Sequence, residues 1–289
     1  MANTDAVVRA AVIQVSSRAD VEANLSAARW AMGRAAQAKA TVSVFPEVYL
    51  NDLTAAAPNV SPARRALVRD SATVLRMCAL AREFGHWLVF GFVETADGEK
   101  VHNTSLVVSP RGEVVALYRK THLYDAFGVR ESAVYAPGDE LFAPLSTPFA
   151  ALGLLVCYEL RFPEIARVQV LRGAQLLIVP SAWYAGTGKV RQWQALVSAR
   201  ALENSCYVLA CNQAVGSDAA MAEQSLEAPG QSPYCGHSMV VDPSGEVIGQ
   251  LGEGEDVLIC DIDLSRIGAV RASVPALNQR RPSLYPDLL

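Results

Sequence analysis

A chain of 289 residues, 51% hydrophobic and 19% charged, is long and apolar enough to bury a substantial core, which excludes an intrinsically disordered protein. The formal net charge of -4 provides no broad basic field, so nucleic acid and anionic membranes are poor general partners and a small molecule fits better.

The first residues, Met1-Ala2-Asn3-Thr4-Asp5, lack the basic and apolar regions of a secretion signal. No later stretch approaches the ~20 apolar residues of a membrane span, and the expected location is cytoplasmic. Val7 to Val15 is β-branched and compact, the pattern of a buried strand, and Val21 to Ala40 places Val21, Leu25, Ala28 and Met32 at helical spacing. Thr41 to Phe45 predicts a second buried strand that Pro46 stops, leaving Glu47 just past its end. Leu67 to Phe84 reads as a helix, followed by strands at Leu88 to Val93 and Ser105 to Val108. The turn Pro110-Arg111-Gly112-Glu113 then makes a hairpin with Val114 to Tyr118, and Lys120 comes directly after it.

Residues 121–150 show no periodicity and contain several Pro and Gly, so an ordered loop is expected. A strand at Leu152 to Val156 ends at Cys157, and Glu164 to Arg172 suits a helix. Leu176 to Val179, Val190 to Asn204 and Tyr207 to Cys211 continue a β-α-β rhythm. Ala214 to Pro233 reads as a loop, and His237 to Val241, Val247 to Gln250 and Val257 to Ile262 as closing strands. With no interior break in composition, residues 1–289 form one expected domain. The basic tail, about 266–289, is expected either to pack against a neighbouring subunit or to fray. The six cysteines are scattered through apolar segments of a long chain, which suits buried reduced thiols better than a disulfide framework.

Glu47, Lys120 and Cys157 share one kind of position, immediately after a strand. If those strands bring their ends together, a carboxylate, an ammonium and a thiol converge on one pocket. A free thiol is mostly protonated at neutral pH and needs a base or a neighbouring charge to attack a carbonyl carbon. Glu47 is the candidate base, since burial raises a carboxylate's proton affinity. Lys120 and the Tyr158 N–H are candidates for holding the oxyanion. His237 as an alternative base is weaker, because it lies among strand residues. Neither Cys206 with Cys211 nor Cys235 with His237 has the spacing of a zinc site, so no metal is expected.

Phe45-Pro46-Glu47, Tyr118-Arg119-Lys120-Thr121-His122-Leu123 and Cys157-Tyr158-Glu159-Leu160-Arg161-Phe162-Pro163-Glu164, in that order, resemble the three signature segments of the nitrilase, or carbon–nitrogen hydrolase, superfamily. The likeness spans nearly the whole chain, with further matches at Gly236-His237-Ser238-Met239 and Arg280-Arg281-Pro282-Ser283-Leu284-Tyr285. The segment after Cys157 looks closest to the ω-amidase-like branch, although Glu159 stands where that branch commonly has Asp. The resemblance implies an α/β four-layer α-β-β-α sandwich, no cofactor, a Glu-Lys-Cys triad at Glu47, Lys120 and Cys157, and a second glutamate at Glu131 that would hold Lys120 charged. It also implies a substrate carboxylate gripped by Arg161, whose alternative is a structural ion pair with Glu159 or Glu164. Trp183 and Thr187 would shape the pocket wall.

The expected partner is a small amide, hydrolysed through a Cys157 thioester, in a homodimer or higher homo-oligomer. The enzymatic alternatives are removal of an N-carbamoyl group or hydrolysis of a nitrile by the same triad. The non-enzymatic one is an inactive scaffold that keeps the fold.

Overall fold

The computed structural model describes residues 7–55, 60–216 and 233–284. In its first strand, β1 (Val7–Gln14), Ala11 and Ile13 belong to one buried cluster and Val8, Ala10 and Val12 to another. A strand buried on both faces lies between two layers. The helix α1 (Val21–Gln37) is capped by Asp20, whose side chain accepts from the Glu22 N–H, and it buries Leu25, Ala28, Met32 and Ala35 in the cluster of Ile13. It stops short of Ala40 because Lys39 turns the chain at φ 59°.

The strand β2 (Val42–Val44) follows, and then a short helix, α2 (Pro62–Arg65), that periodicity did not reveal. The helix α3 (Ala72–Phe84) starts at a Ser71 cap and ends at Gly85 in the left-handed region. It does not reach back to Leu67, whose N–H donates to the Val93 carbonyl and whose carbonyl accepts from Thr95 in β3 (Trp87–Thr95). The hairpin strands β4 (Val101–Val108) and β5 (Val114–Arg119) complete this half.

The second half contains β6 (Leu145–Ser146), β7 (Ala151–Leu154), α4 (Pro163–Leu171), β8 (Leu176–Ser181), α5 (Lys189–Asn204) and β9 (Tyr207–Asn212). It closes with β10 (Met239–Val241), β11 (Val247–Gln250), β12 (Asp256–Asp263) and α6 (Ser265–Ser273). The strand expected from His237 begins only at Met239, because Gly236 and His237 both have positive φ, 67° and 58°.

The strands form two six-stranded sheets, ordered β12-β1-β2-β3-β4-β5 and β11-β10-β9-β8-β7-β6. The sheets stack face to face, and the Cys211 thiol of the second donates to the Ile13 and Val44 carbonyls of the first. The helices α1 and α3 cover one outer face, while Ile165 and Val170 of α4 and Trp193 and Val197 of α5 pack into the cluster of β7, β8 and β9. The fold is the four-layer α-β-β-α sandwich. All six cysteines are buried free thiols.

Residues 121–150 form the expected loop apart from β6 and a single 3-10 turn at Glu131–Ala133. Most of the loop expected at 214–233, namely 217–232, lies outside the described residues, as do 285–289 of the tail and the N-terminal 1–6. Among the described residues, no helix is long and apolar enough to cross a membrane.

Candidate active site

The strands β2, β7, β8 and β9 each run parallel to a neighbour, and Glu47 and Cys157 lie past the C-terminal ends of β2 and β7, where open α/β sheets place ligands, while Lys120 follows the antiparallel strand β5. After β2, Pro46 cannot donate to the ladder, and the chain turns so sharply that Val48 takes φ 47°, rare for a β-branched residue. The turn fits because β3 has Gly91 beneath it. A Cβ there would lie 2.5 Å from the Val48 nitrogen and 2.9 Å from the Pro46 oxygen. Glu47 is consequently 3% exposed. Its Oε1 accepts from Lys120 Nζ at 2.8 Å and Asn103 Nδ2 at 2.7 Å, and its Oε2 from the Ala182 N–H at 2.7 Å.

Lys120 extends β5 by donating its N–H to the Asn103 carbonyl, and its own carbonyl accepts from the Gly138 N–H. A side chain at Gly138 would run into the Arg119 carbonyl, with a Cβ only 2.3 Å away. The Lys120 ammonium is 2% exposed and also donates to both oxygens of Glu131, at 3.1 and 2.9 Å. Burial opposes its charge, but the carboxylates of Glu131 and Glu47 outweigh burial and hold the ammonium well above the ordinary lysine range. Glu131 is aimed by its own loop, where the Tyr124 N–H donates to its Oε2 at 2.5 Å.

Cys157 opens a 3-10 turn, Cys157–Arg161, three residues past the end of β7, and takes φ 49°. A non-glycine residue there costs roughly 1–2 kcal/mol, a strain that persists only when the surroundings impose it. The imposing group is Glu159, which is fully buried. Its Oε2 accepts from the Val156 N–H, while its Oε1 accepts from the Thr121 N–H, the Thr121 hydroxyl and the Tyr118 hydroxyl, all within 2.7–2.8 Å. Burial pushes the Cys157 thiol well above the ordinary cysteine range, and the charge of Glu47 pushes it further, against the pull of Lys120. The thiol is therefore protonated at neutral pH. The groups that act on the thiol are the Glu47 carboxylate, the Lys120 ammonium and the Ala182 amide.

These groups open onto a cavity of about 330 Å³, a size suited to a small molecule. Glu47, Lys120, Glu131 and Cys157 all line it, as do Tyr158, Arg161 and Trp183. Thr187 does not. It is exposed on the loop before α5 and absent from the cavity wall, because the chain turns outward at Gly186 and Gly188. The ion pair considered for Arg161 is also not formed. Its guanidinium donates to Gln192 at 2.7 Å and lies 5.1 Å over the Trp183 ring, while Glu159 is taken up by Thr121 and Tyr118. The His237 backbone bonds to Gly252 and Trp193, and the residue is not part of the wall.

The sequence reading missed Asn103, which donates to both Glu47 and Glu131. An Asn inside the run His102 to Ser105, between Val101 and Leu106, was the available signal, since Asn is depleted from strands. It also missed Lys189, whose ammonium sits 3.7 Å from the Phe127 ring centroid and donates to the Tyr124 hydroxyl. Burial lowers Lys189, and nearby Arg161 lowers it further. Asp52 and Tyr234, hydrogen-bonded at 2.6 Å, also line the cavity.

Residues 9–272 match the family described as carbon-nitrogen hydrolase. The chain is 36% identical to the deaminated glutathione amidase of Bos taurus, over 96% of this chain and 83% of that protein. It is 34% identical to an omega-amidase of Homo sapiens over 73% of each. Among solved structures, a mutant amidase from Nesterenkonia sp. AN1, described as showing Michael addition of acrylamide at the active-site cysteine, superposes with a TM-score of 0.79 at 29% identity. That match covers 98% of this chain and 100% of that one. Fold and similarity together define a hydrolase of carbon–nitrogen bonds. The chain belongs to the carbon-nitrogen hydrolase family, as an amidase-type member of the nitrilase superfamily.

Proposed function

We propose that this enzyme hydrolyses a short aliphatic amide bearing a carboxylate, releasing ammonia and a carboxylic acid through a thioester on Cys157. The observation that carries the reading is the convergence of Glu47, Lys120, Glu131 and the strained Cys157 in one cavity. The Cys157 sulfur attacks the amide carbon as its proton passes to Glu47. Lys120, kept charged by two carboxylates, and the Tyr158 N–H hold the oxyanion. Glu47 returns the proton to the departing nitrogen, the carbon–nitrogen bond breaks, and ammonia leaves. Water, deprotonated by Glu47, then cleaves the thioester and restores the thiol.

Two features support a carboxylate on the substrate. Arg161 and Lys189 both line the cavity, and no ion pair to either is found among the described residues. The relatives named deaminated glutathione amidase and omega-amidase favour the same class. Assembly into two or more copies, with tail 266–289 between them, belongs to this reading and is checked by light scattering. A screen for ammonia release over neutral amides, ω-amides of dicarboxylates, carbamoyl compounds and nitriles tests the substrate. Turnover confined to carbamoyl compounds or nitriles would overturn it.

A further inference from the structure

We propose that Asn103 is a positioning residue that bridges Glu47 and Glu131 and holds them side by side against Lys120, so that Glu47 stays placed to accept the thiol proton. This rests on the reading of Glu47 as the base. Buried Glu47 and half-buried Glu131 share the single ammonium of Lys120, so two carboxylates meet one positive charge. Like charges this close repel, and without a donor between them the two carboxylates would be pushed apart and Glu47 drawn away from the thiol.

Among the described residues, the neutral group that spans both carboxylates is the Asn103 amide. Its Nδ2 donates to Glu47 Oε1 at 2.7 Å and to Glu131 Oε1 at 3.2 Å, which assigns the amide orientation, because a flip would set oxygen against two carboxylate oxygens. That orientation has a cost. Asn103 Oδ1 is buried and has no hydrogen-bond partner, and such an orphan acceptor is destabilising. A buried strand position that tolerates an orphan acceptor in order to aim both amide hydrogens at carboxylates is arranged for the charges, and stability is given up for it.

The test compares Asn103→Asp with Asn103→Leu. Asp keeps the shape but replaces the donors with a third carboxylate, whereas Leu removes the donors without adding charge. If Asn103 acted only by filling space, Asp would be the milder change. The charge role predicts the reverse order. Asn103→Leu should lower kcat roughly tenfold to a hundredfold, Asn103→Asp should lower it further, and KM should stay near wild type for both. Should Leu fail to give native circular dichroism, Asn103→Ala takes its place. An Asp variant more active than the apolar one, or wild-type kcat in both, overturns the proposal. Glu47→Gln and Cys157→Ala are measured alongside. If both are inactive while the Asn103 variants turn over normally, only the positioning role fails. If both remain active, the reading of Glu47 as base fails with it.

Discussion

The carboxylate of Glu159 accepts hydrogen bonds from both the N–H and the hydroxyl of Thr121, at 2.8 and 2.7 Å. Glu159 lies two residues past Cys157 and Thr121 one residue past Lys120, so this contact fixes the thiol-bearing turn to the end of the strand that presents the ammonium. A buried carboxylate is costly unless it is satisfied, and this one also accepts from Tyr118 and Val156.

That arrangement makes stability pH-dependent. Burial opposes the Glu159 charge, but the hydrogen bonds from His122, Val156, Tyr118 and Thr121 outweigh it, and the carboxyl sits below the ordinary glutamate range. A depressed folded-state value contributes stability that is present above the unfolded value of about 4.3 and lost as pH falls through the folded one. Glu159→Gln should therefore cost about 2 kcal/mol at pH 7, with the gap from wild type closing under acid. Urea midpoints at pH 7 and near pH 3.5 check this, and an equal gap at both would refute it.

Removing the thiol should abolish turnover. Cys157→Ala is expected to lower kcat on the order of 10^4-fold or more. An electrophilic amide analogue should add its mass to wild type and not to the variant. If Glu47 takes the thiol proton during attack, Glu47→Gln should also lose the adduct with the amide analogue, although removing its charge lifts part of what holds the thiol protonated. Intact-mass spectrometry reads both results.

Gly91 lies on β3, away from the reacting atoms, yet its substitution should damage activity. A methyl at that position meets the backbone of Pro46 to Val48 at 2.5–3.0 Å, so Gly91→Ala must push the turn and Glu47 outward. The expected stability loss is about 1–3 kcal/mol, with kcat down roughly a hundredfold, since a shift of about 1 Å in a catalytic group has that effect. Steady-state kinetics alongside thermal unfolding separates the two effects.

The cation pair in the cavity makes a statement about specificity. Arg161→Gln and Lys189→Gln should each raise KM for carboxylate-bearing amides about tenfold to a hundredfold, the range of a hydrogen bond to a charged group. Neutral amides of the same length should change little. Equal loss on both substrate types would instead mean that Arg161 supports the wall by stacking on Trp183.

Much of this was legible in one dimension. Glu47 after Pro46, Lys120 after a hairpin and Cys157 after a buried strand are local facts, because where strands stop is written in β-branched runs and the residues that break them. The same applies to α1, α4 and α5, whose apolar spacing marks their inner faces. The sequence could not reveal that Leu67 pairs with β3 and so delays α3, that Thr187 turns to solvent, or that Asn103 and Glu159 tie the site together. Asn103 meets Glu131 across 28 residues and Glu159 meets Thr121 across 38. Hydrogen bonds at that separation depend on how two sheets stack and where their loops return, and no short-range pattern of residues records either.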